Sequence, residues 1–514
     1  MNTSAIKKTL LTLGKISFPN NYPVEILNSN RTDASFLIRN NHEILIAAGV
    51  FNKGDVNIEY LDNTFKEFPT LSLFFWINST SQNVTILRKT FDTNSYHELR
   101  TNPCFNQFDI DLDDSLKLIP LGKELENVLF EAHSHLRDID GLHADSALDE
   151  ICKLLFAKLY DEKQKNYYFK SNYSCVDECA AIVRGTLNNA VNDSSVNIEG
   201  KKIGIFSKPM ILSSPAIYKV VKEFEKYDFS NSPVDIKGRA FQNLISPALR
   251  SGMGQYFTPL QVINFIIECI QPKKNEKVID PFCGSCHFLS ESVEYVIKHQ
   301  NKSRIKQYVS KNLFGIDKSE RMIRIGLTDI LLMDGEMPAL HLSDSLLDID
   351  SYANLKGSMF DVVVTNPPFG SVLGKETFSS LGKFDLLTNR GSVPLEILGL
   401  ERSVQLLKEG GRLAIVLPDG IFLNKYTQYI RDWLSANVKI RGIISLPSET
   451  FAPFGTSVKT SILFCTKGRT TKKYDVYMGQ INNIGYDASG RMKNNSDVSD
   501  AIEGFVGFLD KEGW

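Results

Sequence analysis

From about Gly254 onward, short apolar runs alternate with longer amphipathic stretches, and this alternation constrains the fold more than any other feature. Runs of this kind, rich in Val, Ile and Leu, are typical of buried strands. Strands that alternate with helices predict an α/β fold with a doubly wound, mostly parallel sheet. The predicted strands are Lys277–Asp280, Leu313–Asp317, Phe360–Thr365, Arg412–Leu417 and Ile440–Leu446.

The preceding sequence has a different character, and 514 residues are too many for one ordinary core, which stops growing near ~250–300 residues. Residues 1–118 mix strand-like runs with polar turns, which predicts a small α+β domain. Residues 119–250 carry apolar side chains at helical spacing and predict a helical domain, in which polar Asn188–Gly200 is expected to be a loop. We expect the α/β domain over 251–470 and a C-terminal extension over 471–514.

Composition excludes several classes of protein. Hydrophobic residues make up 42% and charged residues 23%, which excludes a disordered or collagen-like chain. We expect no membrane span, because no run of ~18 apolar residues occurs, and no signal peptide at the start. Eight cysteines without an export signal favour reduced thiols in the cytoplasm. No metal site is expected, and a net charge of −2 requires nucleic-acid contacts to come from local basic patches or a partner.

The most specific motif is the string NPPF, Asn366 to Phe369, directly after the apolar run that starts at Phe360. Ligands of parallel sheets bind where strands end. Two prolines fix the backbone and remove donors, so the Asn366 side-chain oxygen and the Pro367 carbonyl remain as acceptors beside the flat ring of Phe369. These two acceptors and the ring suit a planar amino group. Two hydrogen bonds from its N–H groups to the acceptors would localise the lone pair of its nitrogen. An ordinary strand-to-loop turn is the alternative.

Two further strands end in polar turns. Val278–Asp280 leads into a turn that contains Gly284, which lets a ligand approach the backbone and a helix N-terminus. Leu313–Asp317 ends in an acid suited to two ribose hydroxyl groups. Asp344 follows another apolar stretch and could hold an adenine amino group. Taken singly, each acid could equally be a solvated surface residue.

A third motif, GQYFTP, runs from Gly254 to Pro259. Thr258 is predicted to cap the following helix, with Pro259 in its first turn and Gln261 completing a capping box. The N-terminus of such a helix could hold a carboxylate. A helix with good caps but no ligand would explain Thr258 and Pro259, although not the preceding Tyr256 and Phe257.

The order GQYFTP, DPFCGS, NPPF resembles that of amino-group S-adenosylmethionine-dependent DNA methyltransferases. The chain looks more closely like the modification subunit of type I restriction–modification systems over roughly residues 120–468, which implies a Rossmann-like methyltransferase domain. The string LKEGGRLAIVLPDG from Leu407 and the string FGTSVKTSIL from Phe454 extend the resemblance.

The resemblance implies roles motif by motif. The first motif would contact the methionine end of the cofactor, the second its central part, Asp317 its ribose and Asp344 its adenine, while the NPPF turn would hold a flipped adenine. The implied cofactor-binding residues are Gln255, Tyr256, Phe257, Thr258, Asp280, Pro281, Gly284, Ser285, Asp317 and Asp344, and the implied catalytic residues are Asn366, Pro367, Pro368 and Phe369.

The sequence departs from the family pattern after Ser285, where small residues are usual and Cys286 and His287 stand instead. In residues 1–118, Asp33 and the strands after it vaguely resemble a nuclease-like domain of type I restriction subunits. The strand at Ile44 lacks the Glu-x-Lys metal ligands of such nucleases. We therefore expect either a remnant that does not cleave or an unrelated α+β domain.

These observations predict a DNA methyltransferase subunit that acts on the N6 amino group of adenine. Double-stranded DNA is the expected partner. A separate specificity subunit is expected because the polar tail to Trp514 is a poor candidate for a complete base-reading domain, and the resemblance further implies a restriction subunit. The first alternative is a methyltransferase of another planar amino group, such as cytosine N4, an RNA base or a glutamine amide. The second is a catalytically weak scaffold that binds DNA and partners.

Overall fold

The computed structural model describes most of residues 118–512 and shorter segments between residues 24 and 98. In the first region the gaps are 121, 123, 174, 194–195, 199–200, 204–205, 207, 233–239, 246–256, 301–304, 335, 349–354, 356–359, 389 and 471–472. In the second, the described residues are 24–26, 36–39, 45–52, 56–68, 71, 73–78, 81, 83–90 and 95–98. Asp33, Gln255 and Tyr256 lie outside the described residues.

The chain divides into two compact units. The first comprises Met1–Ser195 and Gly204–Ala248, and the second comprises Val196–Ile203 and Leu249–Trp514. The domain boundaries predicted at residues 118 and 470 fall inside these units and stay predictions.

The first unit contains a six-stranded sheet in which the strands follow chain order and only β3 and β4 are described as a parallel pair. Alternate side chains of β4 enter different cores: Phe75 packs with Phe36, whereas Phe74 packs with Phe65 of the helix α1. Successive side chains of a strand point to opposite faces of the sheet. A run in which every residue is apolar therefore forms a strand that is covered on both faces. The elements are β1 Val24–Ile26, β2 Phe36–Arg39, β3 Leu45–Asn52, α1 Ile58–Glu67, β4 Leu73–Asn78, β5 Asn83–Thr90 and β6 Ser95–Glu98.

The same unit continues with long helices whose apolar positions recur at helical spacing. Ala181 of one of these helices packs in the sheet core with Phe36 and Phe75. Within the polar stretch predicted to be a loop, residues 188–193 are instead the last part of the helix Val176–Asp193, and residues 196–198 form a strand. The elements are β7 Ile119–Pro120, α2 Leu125–Asp140, α3 Ala144–Gln164, α4 Val176–Asp193, α5 Ser214–Phe224 and β10 Tyr227–Asp228, with β7 and β10 paired in parallel.

The second unit is built on an eight-stranded sheet with the strand order β13-β12-β11-β14-β17-β19-β18-β20. Every described neighbour pair is parallel except the two that β19 makes, so β19 alone runs against the other strands of this sheet. The strands are β11 Val278–Asp280, β12 Leu313–Asp317, β13 Ala339–Leu342, β14 Phe360–Thr365, β17 Leu407–Pro418, β18 Val438–Ser445, β19 Thr460–Lys467 and β20 Tyr477–Gln480. Two small hairpins complete the strands: β8 Val196–Ile198 with β9 Lys201–Ile203, and β15 Val372–Gly374 with β16 Ser392–Pro394.

Helices cover both faces of this sheet. On β19, Leu463 and Cys465 face a core that includes residues of α10, α11 and α12. Phe464 between them faces the opposite way, with its ring centroid 6.2 Å from that of Phe265 in α6 and 4.7 Å from that of Phe505 in α13. The helices are α6 Leu260–Ile270, α7 His287–His299, α8 Ile305–Asn312, α9 Glu320–Asp334, α10 Leu395–Leu406, α11 Gly420–Leu423, α12 Gln428–Asn437 and α13 Val498–Glu512.

The predicted doubly wound, mostly parallel α/β sheet is confirmed. From β11 the chain moves outward through β12 and β13, then returns to β14 on the other side of β11 and moves outward through β17. Such a reversal opens a crevice at the carboxyl ends of the central strands, where open α/β sheets bind ligands. Within the described part of the chain, no helix has the length and apolar character to cross a membrane.

Candidate active site

A cavity of about 630 Å³ lies in the second unit, in the crevice at the ends of β11, β12 and β14. This volume is in the range of small-molecule sites, ~300–1,000 Å³. The structure brings together most of the residues predicted from sequence. The lining includes Phe257, Thr258, Asp280, Pro281, Gly284, Ser285, Asp317, Asp344, Asn366, Pro367, Pro368 and Phe369.

The NPPF turn presents Asn366 in one defined orientation. Its Nδ2 donates a hydrogen bond of 2.9 Å to the Thr258 hydroxyl oxygen. Its Oδ1 is buried, and none of the residues that the structure describes donates to it. A buried acceptor without a donor costs ~1–3 kcal/mol. The turn therefore holds an acceptor that an arriving N–H group would satisfy.

Phe369 gives this turn an apolar wall. Its side chain is buried, and its ring packs edge-on against Phe451, with centroids 6.2 Å apart and an interplanar angle of 83°. Pro367 is buried against the helix α10, where a Cβ on Gly399 would lie 2.7 Å from the Pro367 Cβ. Glycine at 399 thus lets the helix approach the turn. Neither Phe451 nor Gly399 is marked by a local sequence pattern.

Asp280 ties the end of β11 to the end of β14. Its Oδ1 accepts hydrogen bonds from the Thr365 hydroxyl at 2.6 Å and from the Phe282 backbone N–H at 3.0 Å. Thr365 directly precedes Asn366, so Asp280 also supports the NPPF turn. Complete burial of the carboxyl group raises the pKa of Asp280 to about 7. The sequence did not single out Thr365 for this role.

Gly284 allows the backbone conformation of the turn after β11. Its φ of +48° is in the left-handed region that favours glycine, and no atom lies within 4 Å of the position of a Cβ there. The Gly284 N–H donates to Asp317 Oδ2 at 3.1 Å, and the other carboxylate oxygen accepts from the Ser319 N–H at 2.7 Å. Burial raises the pKa of Asp317. The turn and the acid thus form one wall of the cavity.

Asp344 lies beside this wall, at the end of β13. Its Oδ1 accepts from the Leu346 N–H at 3.0 Å, and its Oδ2 lies 3.4 Å from the Lys318 ammonium group. Next to it, the Ser345 hydroxyl donates to the Pro281 carbonyl and links β13 to the turn after β11. Three carboxyl groups and one lysine therefore line the cavity, which favours a ligand rich in donors or positive charge.

The prediction that Thr258 caps the following helix is wrong. The helix begins at Leu260 with Pro259 at the N-cap position, and no side chain caps it. The Thr258 hydroxyl is instead bonded to Asn366. Gln261 consequently completes no capping box. Phe257 and Thr258 do line the cavity, as predicted.

Cys286 is accommodated by a glycine on a neighbouring helix. Its φ of +62° is unusual for a side chain with a Cβ, and the residue is fully buried. A Cβ on Gly326 of α9 would lie 2.7 Å from the Cys286 Cβ. His287, the next residue, is neutral near pH 7 because burial lowers its pKa to about 4. Of the two residues that depart from the family pattern, Cys286 thus packs against α9, whereas His287 lines the cavity.

This packing predicts that Gly326→Ala destabilises the protein. Overpacking costs ~1–3 kcal/mol, which outweighs a helix-propensity gain of at most about 1 kcal/mol. In a Cys286→Gly background the same alanine should be clearly less destabilising, since glycine removes the two nearest atoms and leaves the Ser285 backbone carbon, at 3.1 Å, as the next nearest. Denaturant unfolding of the wild type, both single variants and the double variant measures this coupling. Equal effects of the alanine in both backgrounds would contradict the proposed contact.

Comparison with known proteins agrees with the architecture. The family model for N-6 DNA methylases matches residues 234–510, more than half of the chain. The chain therefore belongs to the N-6 DNA methylase family. It is 29% identical over 266 residues to the methylase subunit of the type I restriction enzyme EcoEI from Escherichia coli, covering 50% of this chain and 52% of that one. It is 28% identical over 367 residues to the StySPI methylase subunit from Salmonella potsdam, covering 66% of each chain. The chain thus spans between half and two thirds of these relatives.

Solved structures share the fold. A chain from a study of complex assembly in a type I restriction–modification system has a TM-score of 0.58 and 20% identity, covering 77% of this chain and 82% of that one. The type I methyltransferase subunit from Streptococcus thermophilus has a TM-score of 0.51 and 18% identity, with 75% and 93% covered. At these identities the likeness concerns the fold alone.

Proposed function

We propose that this chain transfers a methyl group from S-adenosylmethionine to the N6 amino group of adenine in DNA. It would do so in the cytoplasm, as the modification subunit of a type I-like restriction–modification system. The observation that carries the proposal is the buried Oδ1 of Asn366, which lies in an acidic cavity and accepts from none of the described residues. Membership of the N-6 DNA methylase family supports the choice of target.

The NPPF turn supplies the chemistry at the target base. Asn366 Oδ1 and the Pro367 carbonyl accept the two N–H bonds of the amino group, which localises a lone pair that is otherwise delocalised into the ring. Phe369, supported by Phe451, provides a flat face for the base. No strong base is required, because the proton can leave after attack. The adenine must first leave the duplex, at a cost of a few kcal/mol.

The residues of the cavity fit S-adenosylmethionine. Asp317 would accept from ribose hydroxyl groups and Asp344 from the adenine amino group, while Phe257, Thr258, Asp280, Pro281, Gly284 and Ser285 line the same cavity. Gly284 leaves open space where another residue would place a Cβ. When bound, the cofactor supplies a methyl group on a cationic sulfonium, and the carboxyl groups of the wall favour that charge. Gln255 and Tyr256 remain proposed as contacts with the methionine end.

The scaffold alternative was motivated by Cys286 and by the altered strand predicted at Ile44, a residue that lies outside the described residues. Because the Cys286 side chain packs on Gly326, it does not obstruct the turn at Gly284, and this supports a working cofactor site. We further propose double-stranded DNA, a separate specificity subunit and a restriction subunit as partners. The two curated relatives are themselves named as subunits of restriction enzymes.

An assay with labelled S-adenosylmethionine and duplex DNA of mixed sequence tests this function. The purified chain alone should incorporate little label, and the same chain with the subunits that co-purify from its host should incorporate much more. Enzymatic digestion of the DNA should then place the label in N6-methyl-2′-deoxyadenosine. Label in N4-methylcytosine, in RNA or in protein would contradict the proposed target, and rapid methylation of one defined sequence by the chain alone would contradict the need for a specificity subunit.

A further inference from the structure

The two ends of the Asn366 side-chain amide have different surroundings. Nδ2 donates to the Thr258 hydroxyl at 2.9 Å, whereas Oδ1 is buried with no donor among the described residues. The two residues are 108 positions apart in the chain, so the contact is made by the fold. In this orientation the Thr258 hydroxyl accepts from Nδ2, and Oδ1 is the end of the amide that is left for a ligand.

The orientation of the Asn366 amide determines whether the site can bind the target amino group. An amide carries an acceptor at one end and two donors at the other. With Oδ1 free, Asn366 can accept an N–H of the target amino group. With the amide rotated by half a turn, two N–H groups would face the N–H groups of the target, and the favourable hydrogen bond would become a repulsive contact.

Thr258 is held in place by the helix start that directly follows it. Pro259, the next residue, is buried, has a φ of −57° and forms the N-cap of α6, where its carbonyl accepts from Val262 and Ile263 at 2.9 and 3.1 Å. Both of these residues are buried in the core of the unit. The threonine hydroxyl is thus attached to a rigid helix start, as is required of a group that positions another.

We propose that Thr258 is a positioning residue, whose hydroxyl holds the Asn366 amide with Oδ1 directed towards the target amino group. This inference rests on the proposed function of the same site. It assigns to the threonine of the GQYFTP string a role in the methyl-transfer step, distinct from the contact with the methionine end of the cofactor that the family resemblance implies.

The test compares Thr258→Val, which keeps the shape but removes the hydroxyl group, with Thr258→Ser, which keeps the hydroxyl group. Both are measured in the full chain with its co-purified subunits. We expect Thr258→Val to lower kcat roughly tenfold, the effect of one hydrogen bond, with KM for DNA and Kd for S-adenosylmethionine within about twofold of wild type. Thr258→Ser should restore most of the activity. An unchanged kcat, or a weakened Kd with normal kcat, would overturn the proposal.

A second measurement requires no turnover. In protein labelled with ¹⁵N at asparagine, the side-chain amide signal of Asn366 is identified by its loss in Asn366→Ala. Its protons should exchange slowly with solvent in the wild type and in Thr258→Ser, and faster in Thr258→Val. Equal protection in all three proteins would overturn the role of Thr258. A wild type that methylates no adenine would instead contradict the proposed function, and the exchange result would still decide whether Thr258 holds Asn366.

Discussion

Replacing Asn366 by alanine is expected to lower the rate of methyl transfer by a factor on the order of 10²–10³, the usual cost of removing one preorganised hydrogen-bonding group from an active site. The variant loses the buried Oδ1 that accepts from the target amino group, and it loses the bond to Thr258. The cofactor wall at Gly284 and Asp317 is untouched. Single-turnover transfer to duplex DNA, with cofactor present in excess over its Kd, measures the chemical step.

Cofactor affinity and thermal unfolding of Asn366→Ala should stay close to wild type, which separates a catalytic defect from a folding defect. Asn482→Ala is a matched control, because this asparagine is exposed in the same unit and away from the cavity. It should leave the rate unchanged. A rate for Asn366→Ala within a few-fold of wild type would show that the NPPF turn is structural.

Replacing Asp317 by alanine is expected to raise the Kd for S-adenosylmethionine by roughly ten- to a hundredfold. Hydrogen bonds to a charged group contribute ~1.5–3 kcal/mol each, and 1.4 kcal/mol corresponds to a factor of ten in affinity. The variant removes the acceptor proposed for the ribose and also the acceptor of the Gly284 N–H. Isothermal calorimetry measures the cofactor Kd directly, and DNA affinity should change much less.

Asp432→Ala provides the control for Asp317→Ala, because Asp432 is an exposed acid on α12. Its cofactor affinity should equal that of the wild type. An unchanged Kd in Asp317→Ala would remove this residue from the cofactor site and leave its bonds to Gly284 and Ser319 as purely structural contacts.

Two of the three strands that form the site could be predicted from sequence to the residue, and the third, predicted from Lys277, begins one residue later at Val278. Leu313–Asp317 and Phe360–Thr365 have the predicted bounds, because strands covered on both faces appear as continuous apolar runs that end at polar residues. Ligands of parallel sheets bind at the carboxyl ends of the central strands. The sequence alone therefore predicts that Asp280, Asp317 and Asn366 lie at the ligand-binding ends of these strands.

Predictions that relied on local pattern alone were less successful. The polar stretch at Asn188 was expected to be a loop, but Asn188 and Asn189 lie on the exposed face of α4 while Ala190 is buried. The strand predicted at Arg412 begins at Leu407, because the chain from 408 to 411 forms an irregularity between paired residues of β14 and β17. Polarity alone does not distinguish the exposed face of a helix from a loop, and the polar residues from 408 to 411 interrupt the apolar pattern of a strand that begins at Leu407.

The contacts that sequence reasoning missed join residues far apart in the chain. Thr258 has the residue type and position of a helix cap, yet its hydroxyl bonds to a side chain 108 positions away. Likewise, only the fold places Gly326 against Cys286 and Gly399 against Pro367. A single sequence contains no local signal for such pairs, since each glycine by itself is compatible with an ordinary helix position.

The central claim is adenine methylation by the NPPF site, and sequencing that detects modified bases in genomic DNA tests it most directly. DNA is compared from cells that carry the gene with its natural partners, cells that lack the gene, and cells that carry Asn366→Ala. We predict N6-methyladenine at a defined sequence in the first DNA, with the modification absent from the second and reduced to background in the third. Adenine methylation that is identical in all three, or a different modified base that depends on the gene, would contradict the claim.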